Sequence, residues 1–315
     1  MRPIYSNYFL PFPSSMLRYN DAVKAEVQRL FQPSIVDPLL LQAEEDVYSS
    51  IITETRRKGN SRLLWYDRED DGDDDDDDDD ASMRGVNKPT AVLCFLHSAT
   101  MESGSYRILL DMLELLTLSG LMDALDALYV LNYGYEVTAD ITSKYPLVTW
   151  FHLLNETTYF EIPSIRIMHR VAQSLQHRGW EANILYVHTK GASYRLVYDH
   201  IEDWRHLMTY FLIERYRDCL DFLSTLSYDA VGVNYSSMPT RHFSGNFWWT
   251  TSSYMSTLSE LKYEESGKFE PEMWLFKRRK SEVVVRIYVM HSSGKMLEYV
   301  SIFCDNLIVV GLLYQ

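Results

Sequence analysis

From Arg241 to Trp249 the chain reads Arg-His-Phe-Ser-Gly-Asn-Phe-Trp-Trp. Aromatic bulk is interleaved with short hydrogen-bonding groups. That mixture suits a surface that covers the face of a polar ring and bonds its hydroxyls. His242, Ser244 and Asn246 offer donors and acceptors, and Gly245 permits close backbone approach to a ligand. If the segment is a strand, Trp248 and Trp249 point to opposite faces. At most one of them then lines a site, while the other packs in the core. A second polar cluster, His188-Thr189-Lys190, ends the apolar run that reaches Tyr186-Val187, as the polar tip of a buried strand would. Together the two clusters suggest a sugar-handling site.

The elements that must position these residues begin after residue 90. Ala91–His97 is a continuous apolar run and reads as a buried strand. Ser105–Ser119 has helical periodicity with Gly120 as a stop. Strands are predicted over 127–133, 147–154, 183–188 and 229–234, and a strand or strand-loop over 242–249. Helices are predicted from Pro163 to about Gln176, over Ile201–Leu226 and from about Ser252 to Lys262. Alternating strands and helices argue for an α/β fold with a mostly parallel sheet. In such sheets ligands sit beyond the carboxyl ends of the strands, where His97-Ser98, Asn132-Tyr133 and His188-Thr189-Lys190 fall.

Residues 1–65 read as a lead-in with helices near 22–31 and 38–55, residues 66–90 as an acidic disordered linker, 91–280 as one domain and 281–315 as a divergent segment. The whole chain has 315 residues and a formal charge of −14. Residues 67–80 alone carry −11, so the remainder is near neutral and shows no basic face suited to nucleic acid. Eight consecutive aspartates repel one another and bury nothing, which reads as a solvated linker. Cys94, Cys219 and Cys304 fit neither a disulfide framework nor a zinc spacing. The most apolar region, Ile108–Leu131, is interrupted by Asp111, Glu114, Asp123 and Asp126, so no membrane span is expected. No apolar run of signal-peptide length precedes Pro11 and Pro13, and the compartment stays open.

Four motifs recur in a telling order: Tyr186–Gly191, Trp204-Arg205, His242–Trp249 and Glu270-Pro271-Glu272-Met273-Trp274. Over about residues 91–278 this pattern resembles glycosyltransferases of algae, protists, bacteria and large algal viruses, which are similar to nucleotide-diphospho-sugar transferases of the GT-A type. The resemblance implies one α/β/α three-layer domain. It implies binding of a nucleotide-sugar donor and transfer of a hexose or deoxyhexose to a hydroxyl acceptor on a glycan or other glycoconjugate. Lys190 would then neutralise the diphosphate, Thr189 donate a hydrogen bond, and His188 bind phosphate or a metal. Arg205 would clamp phosphate, or form an ion pair with Glu202. Glu272, with Glu270 second, would take the acceptor proton. Glu161, just before Pro163, reads as a helix cap.

The sequence departs from the pattern in one respect. Many GT-A enzymes hold Mn2+ or Mg2+ with an Asp-x-Asp pair, and outside the acidic linker no such pair occurs. The metal ligands are therefore unassigned. The alternative reading is a non-catalytic protein that binds a nucleotide sugar or glycan on the same scaffold. No Gly-x-Gly-x-x-Gly, Walker-type loop, Gly-x-Ser-x-Gly or His-Glu-x-x-His pattern points elsewhere.

Overall fold

The computed structural model describes residues 36–59, 90–100, 106–155, 158–192, 198–263, 269–277, 285–290, 297–304 and 307–313. Helix α1 spans Pro38–Gly59. It is followed by β1 (Ala91–Thr100), α2 (Arg107–Leu118), α3 (Leu121–Ala124), β2 (Ala127–Gly134), α4 (Ala139–Thr142) and β3 (Val148–Leu154). Next come α5 (Ile162–His177), β4 (Ala182–His188) and α6 (Asp199–Thr209). A π-helical segment, Tyr210–Glu214, joins α6 to α7 (Tyr216–Ser224). The chain continues through β5 (Ala230–Val233), β6 (Tyr235–Ser236), β7 (His242–Phe243), β8 (Trp248–Thr251), α8 (Ser252–Ser256) and α9 (Glu270–Trp274). Three strands follow: β9 (Val285–Met290), β10 (Leu297–Cys304) and β11 (Leu307–Leu313). The acidic run and the helix expected near 22–31 lie outside the described residues.

Nine strands form one sheet in the order β11-β10-β9-β5-β8-β4-β1-β2-β3. Strands β1 to β4 are parallel, β5 and β9 are parallel to each other, and β8 runs antiparallel between β4 and β5. Strand β10 is antiparallel to both neighbours, so only β8 and β10 oppose the other seven. The fold is therefore α/β with a mostly parallel sheet, as the alternation of elements predicts.

The strands read as apolar runs because both faces are covered. On one face Phe95, Tyr186 and Trp248 pack with Leu40 and Ile51 of α1 and with Ile165 and Met168 of α5. On the other, Cys94, Val187 and Trp249 pack with Leu113 of α2, Phe211 and Leu212 of the π segment and Cys219 of α7. Helix α5 begins with proline in its first turn, where the missing N–H costs nothing. The lead-in expected over residues 1–65 thus contributes α1 to the main core. The apolar runs near the C-terminus extend the sheet, with β9 beside β5.

The helix expected over 201–226 is present but interrupted. A π turn leaves a backbone carbonyl without its usual i+4 donor. Here the Leu212 carbonyl accepts a hydrogen bond from Trp249 Nε1 at 2.8 Å. The break in the helix and the anchoring of a core tryptophan are one feature. The helix expected over 252–262 is shorter, ending at Ser256.

Candidate active site at the carboxyl ends of β1 and β4

Strand order runs from β1 to β2 and β3 on one side and to β4 on the other. The carboxyl ends of β1 and β4 therefore flank a topological switch point, the usual ligand crevice of open α/β sheets. His97 and His188 are register partners there. Both are buried and both occupy the α5 side of the sheet, with His97 stacked on Tyr133 and hydrogen-bonded through Nδ1 to Ser164 Oγ at 2.9 Å. Burial lowers the pKa of His97 to about 4 and that of His188 to about 3, the latter with help from the Lys190 charge.

His188 connects two motifs far apart in sequence. Its Nε2 donates to the Gly245 carbonyl at 2.9 Å, and its Nδ1 lies 3.3 Å from Glu161 Oε1. The other carboxylate oxygen of Glu161 accepts from Asn246 Nδ2. Asn246 in turn accepts from Trp248 Nε1 at 2.8 Å. Gly245 donates its backbone N–H to Glu272. His188, Gly245, Asn246 and Glu272, from three of the four motifs, meet in one cluster.

The tight turn at Gly245 explains its residue type. Its φ is +100°, and a Cβ there would meet Met208 Sδ at 2.4 Å and Trp204 Cε2 at 3.3 Å. The glycine serves close packing against α6 rather than ligand approach. Gly232 is needed for a similar reason, since a Cβ would meet the Phe243 ring at 2.5 Å.

Ser244 and His242 form their own pair. Ser244 Oγ lies 2.9 Å from His242 Nε2, while His242 Nδ1 donates to the Thr240 carbonyl at 2.7 Å. Lys190 is half-buried, and its ammonium sits 4.1 Å from the centroid of the Trp204 ring.

Several expected roles change. Trp248 and Trp249 are 1% and 0% exposed, so neither offers a ring face to a sugar. They do point to opposite faces, but helices cover both, so alternation yields two core residues. Arg205 is buried and donates from Nη1 to the Lys190 carbonyl at 3.0 Å, with Glu202 3.5 Å from Nη2. It holds the loop after β4 instead of clamping phosphate. Thr189 Oγ1 accepts from the Ala99 N–H at 3.0 Å and ties β4 to β1. Glu270 pairs with Lys277. Asp199 and Asp203 are exposed on α6.

In the sequence Glu161 reads as a helix cap. It stands at the N-cap of α5 but makes no capping hydrogen bond. No spacing rule reveals that its side chain turns towards the strand ends. As for metal, both ring nitrogens of His188 are already engaged. No group of three or more His, Cys, Asp or Glu among the described residues is placed to hold an ion. Among the described residues, the cluster shows no ligand set for the Mn2+ or Mg2+ of the resembled enzymes. No helix among the described residues is long and apolar enough to cross a membrane.

Residues 155–296, a little under half of the chain, match a protein family described as a domain of unknown function, DUF8361. The matched stretch holds Glu161, His188, Lys190, Gly245, Asn246 and Glu272. No curated protein matches the chain.

Proposed function

We propose that the protein transfers a sugar from a nucleotide-diphosphate donor to a hydroxyl acceptor, on a three-layer α/β/α domain of GT-A type. The observation that carries this reading is the convergence of His188, Gly245, Asn246 and Glu272 beside the switch point between β1 and β4. Helices packed on both faces of the sheet, and an antiparallel strand inserted beside β4, support the fold assignment.

In this reading the donor diphosphate lies beyond β1 and β4, where Lys190 neutralises the charge that develops on the leaving group. No metal step is invoked. Ser244 and His242 present a hydroxyl and an imidazole to the sugar or acceptor hydroxyls. A carboxylate of the cluster takes the acceptor proton as its oxygen attacks the anomeric carbon.

The test is a thermal-shift series on the full chain with nucleotide-diphosphate sugars, each with and without manganese, followed by turnover assays. A donor that binds only the folded state raises the midpoint. Lys190→Ala should lose most of the shift. An unchanged shift and turnover in Lys190→Ala would remove the phosphate role. The second reading, binding without catalysis, is favoured by the engagement of Arg205, Thr189 and Glu272 with the protein itself. Donor binding without turnover across acceptors and metals would select it.

A further inference from the structure

We propose that Glu161, seated against His188, is the proton-accepting carboxylate of this site, in place of Glu272. The substrate side of this inference, a hydroxyl acceptor, rests on the sugar-transfer reading; the contact between Glu161 and His188 does not.

A carboxylate at the N-cap of a 16-residue helix ordinarily accepts from the first-turn amides and faces the positive end of the helix dipole. Glu161 makes no such bond. The residue before it, Phe160, has φ +51°, a left-handed conformation that costs a bulky residue about 1–2 kcal/mol. The chain adopts that geometry and sends the carboxylate to the strand ends.

There the side chain is gripped and still accessible. Asn246, itself at φ +56°, donates to Oε2, and the side chain of Glu161 remains 20% exposed. On Oε1 the contact is with His188 Nδ1 at 3.3 Å. His188 Nε2 faces the Gly245 carbonyl, a pure acceptor, so that nitrogen must carry a hydrogen. Nδ1 and Oε1 are then two acceptors in contact, and a proton taken up by Glu161 would turn that contact into a hydrogen bond. The buried Tyr186 hydroxyl lies against the Glu161 carboxylate in the same cluster. Glu272 likewise spends one oxygen, on the Gly245 N–H. The groups facing Glu161 are His97 from β1, Tyr186 and His188 from β4 and Asn246 from the β7–β8 turn. Lys190, beyond the end of β4, bears on His188.

In the step itself, the acceptor oxygen forms the bond to the anomeric carbon as the bond to the nucleotide diphosphate breaks. The electron pair leaves with the diphosphate, and the acceptor proton passes to Glu161 Oε1, where it lies against His188 Nδ1.

The test compares the full-length wild type with Glu161→Gln, Glu161→Asp and Glu272→Gln. Nitrogen-15 histidine NMR reads the His188 ring across pH, and donor turnover reads the chemistry. Glu161→Gln should shift the His188 Nδ1 resonance and lower kcat on the order of 100-fold, with the donor-induced thermal shift retained. Glu161→Asp should recover part of the rate and keep the pH profile that Glu161→Gln flattens. Glu272→Gln, which keeps a side-chain oxygen for the Gly245 N–H, should leave the His188 Nδ1 resonance in place. An unmoved His188 resonance in Glu161→Gln overturns the contact between Glu161 and His188, and near-normal turnover overturns the proton-accepting role. Should the wild type turn over no donor, the sugar-transfer reading falls. The NMR comparison then decides alone: a shifted His188 ring upholds the pair, and an unchanged one refutes it.

Discussion

Gly245 is fastened on both sides, its carbonyl to His188 and its N–H to Glu272. Gly245→Ala would add a methyl where Met208 Sδ stands and place a Cβ on a backbone of φ +100°. The expected loss is about 2–4 kcal/mol, combining overpacking with left-handed strain. Met208→Ala in the same chain should restore only the steric part. Urea unfolding of the two variants would show it, and full recovery in the double variant would mean that backbone strain is negligible.

The histidines predict an acid response. His97 and His188 hold pKa values of about 4 and 3 in the folded chain, against 6.5 for an unperturbed ring. Below pH 6.5 the unfolded chain therefore binds protons that the folded chain refuses. Their stabilising contribution is complete above that pH and falls on acidification, at up to ~1.4 kcal/mol per pH unit for each ring. The decline ends near pH 4 for His97 and near pH 3 for His188. Glu44 acts in the opposite sense. Burial raises its pKa above 4.5 against the pull of Arg166, so its contribution is lost as pH rises through that raised value. The readout is therefore a difference in unfolding free energy between wild type and His97→Gln across pH 7 to 5. A constant difference would contradict the low folded pKa. Of these residues, His188 was legible in the sequence because it ends an apolar run. His97 was visible only as a strand-end residue. Glu161 was hidden by its plausible role as a cap, since side-chain direction at an N-cap is not encoded in spacing.

Elements were easier to read than contacts. Strands β1, β2 and β4 stand out because burial on both faces demands unbroken apolar runs, and the proline at the start of α5 marks its first turn. The same double burial misled the reading of Trp248 and Trp249, since strand alternation implies a ligand face only when one face is open. The π turn was also invisible, because Tyr210–Glu214 keeps helical apolar spacing while adding one residue to the ring. Its role can be measured. Trp249→Phe removes the donor to the Leu212 carbonyl and leaves that buried acceptor unpaired, at a cost of about 1–3 kcal/mol. Hydrogen exchange should speed up in the π segment before it does in α2. Uniform acceleration across the domain would argue against a local tie.

At the scale of the molecule, α1 is part of the fold that carries the site. Leu40 and Ile51 are fully buried, and Glu44 accepts from Arg166 Nε of α5 and from the Tyr263 hydroxyl. Each buried aliphatic contributes about 1.5–3 kcal/mol. A chain that begins at residue 84 should therefore be strongly destabilised, and calorimetry beside the full chain would show a missing or much lower transition. Arg166→Met, which strands the Glu44 carboxylate, should cost about 3–5 kcal/mol, much of it regained in Glu44→Gln/Arg166→Met. Composition alone could not place α1, because its apolar stripe and charges suit an exposed helix as well as a docked one.

The reversed direction of β8 has a consequence for engineering. A parallel strand gives the ligand edge only the residues that follow it, whereas a reversed strand gives the residues that precede it. The chain from Asn234 to Phe247 therefore leaves β5 and enters β8 at the same edge of the sheet without crossing it. Its outermost stretch, Ser237 to Thr240, is exposed. Extra residues spliced there, or new termini opened by circular permutation, would leave every pairing of the sheet in register. The rim over the site is thus open to redesign independently of the framework beneath it.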